Sequence, residues 1–135
     1  MFETTGEATA VMSICTRAPA SSRAAPLVAV SCRTGRRALN LLKTQRFDLL
    51  LIGPEIGDLP LWELLRQIRT SVPALPWVFV EPAPSDQGQN VARLFKAAAV
   101  VAATPSAVQI AGLVSRLREQ AAAEFYRQRT RVASA

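Results

Sequence analysis

Apolar residues along the chain form two kinds of pattern, short continuous runs and longer stretches with helical spacing, and the two alternate. Ala8 to Cys15, Leu27 to Cys32, Asp48 to Ile52, Trp77 to Val80 and Ala99 to Ala103 are brief runs rich in Val, Ile, Leu and aromatic residues. Runs of this length without polar alternation predict strands covered on both faces, as in a parallel sheet. Between them, Leu61, Leu64, Leu65 and Ile68 recur at i, i+3, i+4 and i+7, the stripe of an amphipathic helix. Asp58 stands before that stripe as its expected N-cap, with Pro60 tolerated in the first turn. Ser71-Val72-Pro73 closes it.

The same reading covers the other helices. Thr34 is expected to cap a helix whose Ala38, Leu41 and Leu42 form a buried side ending near Gln45, which leaves Arg36, Arg37, Lys43 and Arg46 facing water. Glu81-Pro82-Ala83-Pro84 is a stiff loop before a helix from about Ser85 to Ala98. From Ser106 a long helix aligns Ile110, Leu113, Val114, Leu117 and Ala121 on one side and continues into Phe125, Tyr126 and a basic tail. One connection breaks the alternation. Thr16 to Pro26, TRAPASSRAAP, is too short and too proline-interrupted for a helix plus two turns, and it predicts a loop or at most one helical turn. Strands alternating with helices call for a parallel α/β sheet in a single domain.

Composition narrows the chemistry. The chain has no histidine, which removes imidazole-based triads, proton shuttles and most zinc sites. Cys15 and Cys32 lack metal-type spacing and are expected to be reduced and buried. The formal charge of +6 comes from arginine far more than from lysine, and it favours acidic surfaces with an affinity that falls as salt rises. No apolar run reaches the roughly 18 residues needed to cross a bilayer. The start of the chain lacks the basic region of a signal peptide, so a cytoplasmic protein is expected.

The segment Phe47 to Arg69, FDLLLIGPEIGDLPLWELLRQIR, resembles the middle of the receiver domain of bacterial two-component response regulators, roughly DLVLLDxxMPGMDGLELLRRIR. The match is gapless, with Asp48 on the leading aspartate and Glu63 to Arg69 on ELLRRIR. The resemblance extends upstream through Gly35 to Leu42 and downstream through Leu75 to Val80 and Ala103-Thr104-Pro105. It implies a flavodoxin-like five-stranded parallel sheet of order 2-1-3-4-5 over residues 8–120, with the first helix shortened or missing. Residues 121–135 form a basic extension of the last helix and tail.

The resemblance also implies what has been lost. Phosphoryl transfer to a carboxylate needs a nucleophilic aspartate, a divalent cation held by oxygen ligands, and cationic and hydroxyl groups around the moving charge. Gly53 falls on the phosphoacceptor, and Ile14-Cys15-Thr16-Arg17 stands where the family has an acidic pair. Glu81 matches its Ser or Thr, Thr104 its lysine and Val101 its aromatic switch residue. Residues 8–47 contain no Asp or Glu. The expectation is therefore a domain with no catalytic residue, phosphoacceptor, metal or cofactor. Glu55 and Asp58 are substitute nucleophiles on one reading, a solvated loop charge and a helix cap on the other. Glu81 either pairs with Arg17 or another arginine or is simply exposed.

What remains is binding. The face that receivers present to partners corresponds here to Arg93, Lys96, Arg116 and Glu119, with Gln89 nearby. Loss of the first helix suggests a second face, around Val11, Val28, Ile110 and Val114, that docks a second copy or another signalling protein, unless TRAPASSRAAP folds back as a lid. The tail places Phe125 and Tyr126 beside Arg127, Arg129 and Arg131, a basic-aromatic cluster of the kind that holds single-stranded nucleic acid. Two functional readings follow: a phosphorylation-independent signalling or scaffold protein, or a nucleic-acid-binding regulator that uses the fold as a dimer platform and its arginine-rich tail for phosphates. No DNA-reading module follows the receiver-like part. A flavodoxin-like small-ligand domain lacks its glycine-rich phosphate cradle, since the loop there is TRAPASSRAAP.

Overall fold

The computed structural model describes residues 8–134, and of the last helix the side chains up to Arg129. Their order is β1 (Thr9–Ile14), β2 (Leu27–Cys32), α1 (Gly35–Leu42), β3 (Leu49–Ile52), α2 (Leu61–Ser71), β4 (Trp77–Val80), α3 (Asp86–Leu94), β5 (Ala99–Val101) and α4 (Ala107–Ser134). The strands form one parallel sheet in the order β2-β1-β3-β4-β5, the flavodoxin-like arrangement. Central β3 (LLLI) and β4 (WVFV) are buried at every position because helices cover both their faces.

Strand alternation divides the core in two. Met12, Ile14, Leu50, Ile52, Trp77 and Phe79 face α1, α2 and α3, meeting Ala38, Leu64, Leu65, Ile68 and Ala92. Val11, Leu49, Leu51, Val78 and Val80 face the opposite side and meet α4 through Ala107, Ile110 and Val114. Three helices therefore cover one face and one helix the other. No helix joins β1 to β2.

The uncovered quarter is closed by the crossover itself. Pro19 and Ala25 are buried, and Ala25 packs with the α4 cluster. The loop is pinned by its serines: Ser21 Oγ accepts from the Leu27 N–H (2.9 Å) and Ser22 Oγ from the Ala25 N–H (3.0 Å). Beyond Leu27, the β2 positions on that face are Ala29 and Ser31, small residues that tolerate exposure. The expected docking face is thus corrected. Val11 and Ile110 are fully buried and Val114 is 4% exposed, all inside the chain's own core, while exposed Val28 shares the opposite side of the strand with Cys32. The crossover is the lid.

Several element ends differ from the sequence expectation. Helix α3 stops at Leu94, and Lys96 takes a left-handed φ of 54° so that the Ala97 N–H reaches the Ala92 carbonyl (2.9 Å), a helix stop that usually carries glycine. Strand β5 ends at Val101 and not at Ala103. Asp48 precedes β3 and ties distant parts together: Oδ2 accepts from the Ala10 N–H (2.8 Å) and Oδ1 from Arg118 Nη2 (2.7 Å). Helix α4 is about 42 Å long at 1.5 Å per residue. From Arg118 to Arg129 every side chain is exposed.

Because Ile110 is enclosed between α4 and the sheet, Ile110→Ala should cost about 2–5 kcal/mol, the range for emptying a buried aliphatic site, in urea denaturation. A loss below about 0.5 kcal/mol, typical of surface positions, would contradict this packing.

Candidate functional site at the carboxyl edge of the sheet

Ligands of open parallel sheets lie beyond the carboxyl ends of the strands, and here those ends are occupied by the chain itself. Gly53, directly after β3, is buried and donates its N–H to the Ile14 carbonyl (2.9 Å). A β-carbon at this position would run into the carbonyl oxygen of Cys15 and stand 3.1 Å from its carbon and 3.3 Å from Thr16 Cβ. Among the described residues no glycine has positive φ, so what position 53 requires is empty space.

The intruding carbonyl is set by Cys15. This residue leaves β1 with φ 54°, a left-handed conformation uncommon for a side chain of its type. It is held there by its N–H on the Cys32 carbonyl (2.9 Å) and by its thiol on the Arg33 carbonyl (3.0 Å). Burial pushes the Cys15 thiol above its ordinary pKa, and the Asp58 carboxylate pushes it the same way. Burial also raises Cys32, with Arg37 pulling partly in the opposite direction. Both thiols are free, and their raised pKa values make them poor nucleophiles.

Two of the carboxylates near this edge, Glu81 and Asp58, are engaged with helix termini, while Glu55, two residues after Gly53, is exposed. Glu81, at the end of β4, is 4% exposed. Its Oε2 accepts from Ser85 Oγ (3.1 Å) and its Oε1 from the Ser85 N–H (3.4 Å), while Ser85 Oγ accepts from the Gly88 N–H (3.0 Å). Gly88 gives the room, since a β-carbon there would overlap the Glu81 carboxylate. The charge therefore sits against the positive end of α3. Both expectations for Glu81 are corrected: among the described residues it pairs with no arginine, and it is not exposed.

Asp58 likewise does not cap its own helix. Helix α2 begins after Pro60 without a side-chain cap, and Asp58 reaches across to α1, where Oδ1 accepts from the Gly35 N–H (2.8 Å) and Oδ2 from the Arg36 N–H (3.0 Å). Thr34 Oγ1 takes the next N–H, that of Arg37 (3.1 Å), as expected of a cap. The Gly35 and Arg36 N–H groups hold the Asp58 carboxyl below its ordinary value. Thr104 Oγ1 donates to the Arg17 carbonyl (2.9 Å), joining the loops after β5 and β1. Among the described residues no three His, Cys, Asp or Glu side chains converge as a metal-holding group.

The other candidate residues are scattered. Arg93, Lys96 and Arg116 are exposed, but only Arg116 borders the open groove of about 630 Å³ between β5 and α4, together with Val101, Thr104 and Leu113. Ile110 lies at the floor of that groove and Val114 in the core. In the tail, Phe125 and Tyr126 are exposed, Arg129 stacks on the Phe125 ring at 5.6 Å, and Arg127 pairs with Glu124 at 3.4 Å. The Arg131 side chain lies outside the described residues. The Glu81-Ser85-Gly88 arrangement escaped the sequence reading, although Ser85 before a helix is a recognisable cap. The Cys15 turn left no signal, because cysteine does not announce a positive φ.

No protein-family model matches the chain, and no curated protein matches it. Solved structures do. The fold is similar to a CheY-like response regulator receiver domain protein of Methanospirillum hungatei, with a TM-score of 0.64 at 14% identity over 84% of this chain and 97% of that one. A signal receiver domain of an HD domain-containing protein from Pseudomonas fluorescens gives 0.63 at 13% identity, covering 84% of this chain and 97% of its own. The chemotaxis response regulator CheY4 of Vibrio cholerae gives 0.61 at 13% identity, covering 82% and 99%. At such identities the likeness is one of fold, and the fold is that of a receiver domain.

Two outcomes follow from the edge geometry. Gly53→Asp should lose at least about 1–3 kcal/mol by forcing atoms into a filled space, read as a lowered urea midpoint. Asp58→Asn should be less stable than wild type at neutral pH. Because the folded-state pKa of Asp58 is depressed, its contribution is full above the ordinary value of 3.8 and disappears as pH falls through the lowered value. Melting curves of the two proteins should therefore converge at acid pH; a gap that stayed constant below pH 3.8 would contradict the capping role.

Proposed function

We propose that this chain is a degenerate receiver domain of the bacterial two-component type, one that acts as a signalling or scaffold protein through protein contacts, without an aspartyl phosphate and without catalysis. The observation that carries this reading is the Cys15 carbonyl lying where a phosphoacceptor side chain at position 53 would begin. The supporting groups point the same way. The end of β1 offers Cys15, Thr16 and Arg17 in place of oxygen ligands, Glu81 is turned into α3, and Thr104 is committed to the Arg17 carbonyl. A divalent cation at this edge would find a basic neighbour and no pair of free carboxylates.

In this reading residues 8–120 are the receiver-like unit and residues 121–135 a basic extension of its last helix. The contact surface is the exposed set Arg93, Lys96 and Arg116; Ile110 and Val114 are buried in the core under α4 and hold the helix that carries Arg116. The partner is another signalling protein or a second copy, and the setting is the cytoplasm. Among the described residues no helix is long and apolar enough to cross a membrane.

The deciding experiment is an amide spectrum of the labelled protein recorded with magnesium and beryllofluoride, a phosphate mimic that needs an aspartate and a bound cation. Resonances at the ends of β1, β3 and β4 should not move. Saturable shifts at those positions would show a working acidic pocket and end the proposal.

A further inference from the structure

The net positive charge of this protein is carried most densely, and without any acid in sequence, by one stretch of it. Between residues 8 and 47 there is no Asp or Glu, yet the loops carry Arg17, Arg23 and Arg33, and α1 with the turn after it carries Arg36, Arg37, Lys43 and Arg46. The remaining residues contribute nine cations against ten carboxylates, so the +6 of the chain arises from this stretch alone. All seven side chains are exposed. Among the described residues only Arg36 meets a carboxylate, Asp58 at 3.9 Å. The tail differs, because Arg118 is paired with Asp48 (2.7 Å), Arg127 with Glu124 (3.4 Å), and Arg129 lies on Phe125 (5.6 Å).

Helix α1 concentrates this charge. Arg36, Asn40 and Lys43 follow one another at i, i+4 and i+7 on its outer side, with Arg37 and Thr44 beside them, all exposed. No acidic residue stands in its first turn, where Arg36 and Arg37 add to the positive end of the helix dipole at a cost to the helix itself. Asp58 takes up part of that charge through the Gly35 and Arg36 N–H groups and the Arg36 side chain; Arg33, Arg37 and Lys43 meet no carboxylate among the described residues and are left for an external polyanion.

The chemistry of the face selects the polyanion. Protein interfaces are anchored by buried aromatic and apolar side chains, and the large exposed apolar residue of this stretch is Val28 alone. Single strands are held by aromatic stacking platforms, and residues 8–46 contain no aromatic residue. Arginine forks with hydroxyl and amide neighbours suit phosphodiester oxygens. A convex helix is admitted by the major groove of B-form DNA and not by the deep, narrow one of A-form RNA. We infer that the β2–α1 face, through Arg33, Arg36, Arg37 and Lys43, binds the phosphate backbone of duplex DNA without reading its sequence. This goes beyond the signalling reading and does not depend on it.

The test is fluorescence polarisation of the full chain with a labelled DNA duplex of mixed sequence at several salt concentrations. Four phosphate contacts give a slope of log affinity against log salt of about −3 to −4, a loss of roughly a hundredfold between about 50 and 200 mM salt. The pair Arg37→Ser with Lys43→Ser should reduce the slope by about 2 and weaken binding, and so should the separate pair Arg33→Ser with Arg36→Ser. The tail pair Arg127→Ser with Arg129→Ser should leave slope and affinity unchanged, and melting curves confirm that each variant is folded. Absence of duplex binding at low salt would overturn the inference. So would loss of binding in the tail pair with retention in both of the other pairs. Equal or tighter binding of a single strand of the same length, or of polyglutamate, would overturn it in favour of those partners.

Discussion

The carbonyl of Cys15 lies against the bare α-carbon of Gly53, and the carboxyl edge of the sheet is organised around that contact. The two residues end neighbouring parallel strands, at the place where such a sheet ordinarily leaves a crevice for a ligand. Hydrogen bonds hold the contact from several sides: the Gly53 N–H on Ile14, the Cys15 N–H on Cys32 and the Cys15 thiol on Arg33. Each is satisfied within the chain, so the crevice is closed by backbone, which is harder to displace than a side chain.

Polar groups near this edge serve architecture. Asp58 and Glu81 both sit at the positive ends of helices, α1 and α3, and neither is left for a cation. Asp48 joins the start of β1 to Arg118 on α4. Opposite charge at a helix end is a local gain of about 0.3–1 kcal/mol, enough to fix where a loop carboxylate goes when no metal competes for it.

The second face of the sheet follows the same economy of parts. With no helix between β1 and β2, the single helix α4 covers the centre, and a proline- and serine-rich loop covers the flank with Pro19 and Ala25. The edge strand meets solvent through Ala29 and Ser31, so the missing helix leaves little apolar area in need of a partner. Surface charge, unlike apolar area, is left largely without an internal partner in residues 8–47, where seven cations accompany no acid and, among the described residues, only Arg36 meets a carboxylate.

The strands, their parallel arrangement and the lack of a helix in TRAPASSRAAP were all legible in the residues, because hydrophobic periodicity and proline act over short distances along the chain. Even there, helix α3 ran shorter than its apolar pattern because Lys96 turned left-handed. What lay beyond the sequence was partnership. Asp58 precedes α2 yet caps α1, 23 residues away, and Glu81 finds Ser85 only because Gly88 leaves room. Ile110 and Val114 have the spacing of any amphipathic stripe, and whether that stripe meets solvent, a partner or the chain's own sheet depends on which elements pack beside it. Local sequence determined what each segment is; the packed sheet decided which buried space remained at position 53, and the turn at Cys15 had already taken it.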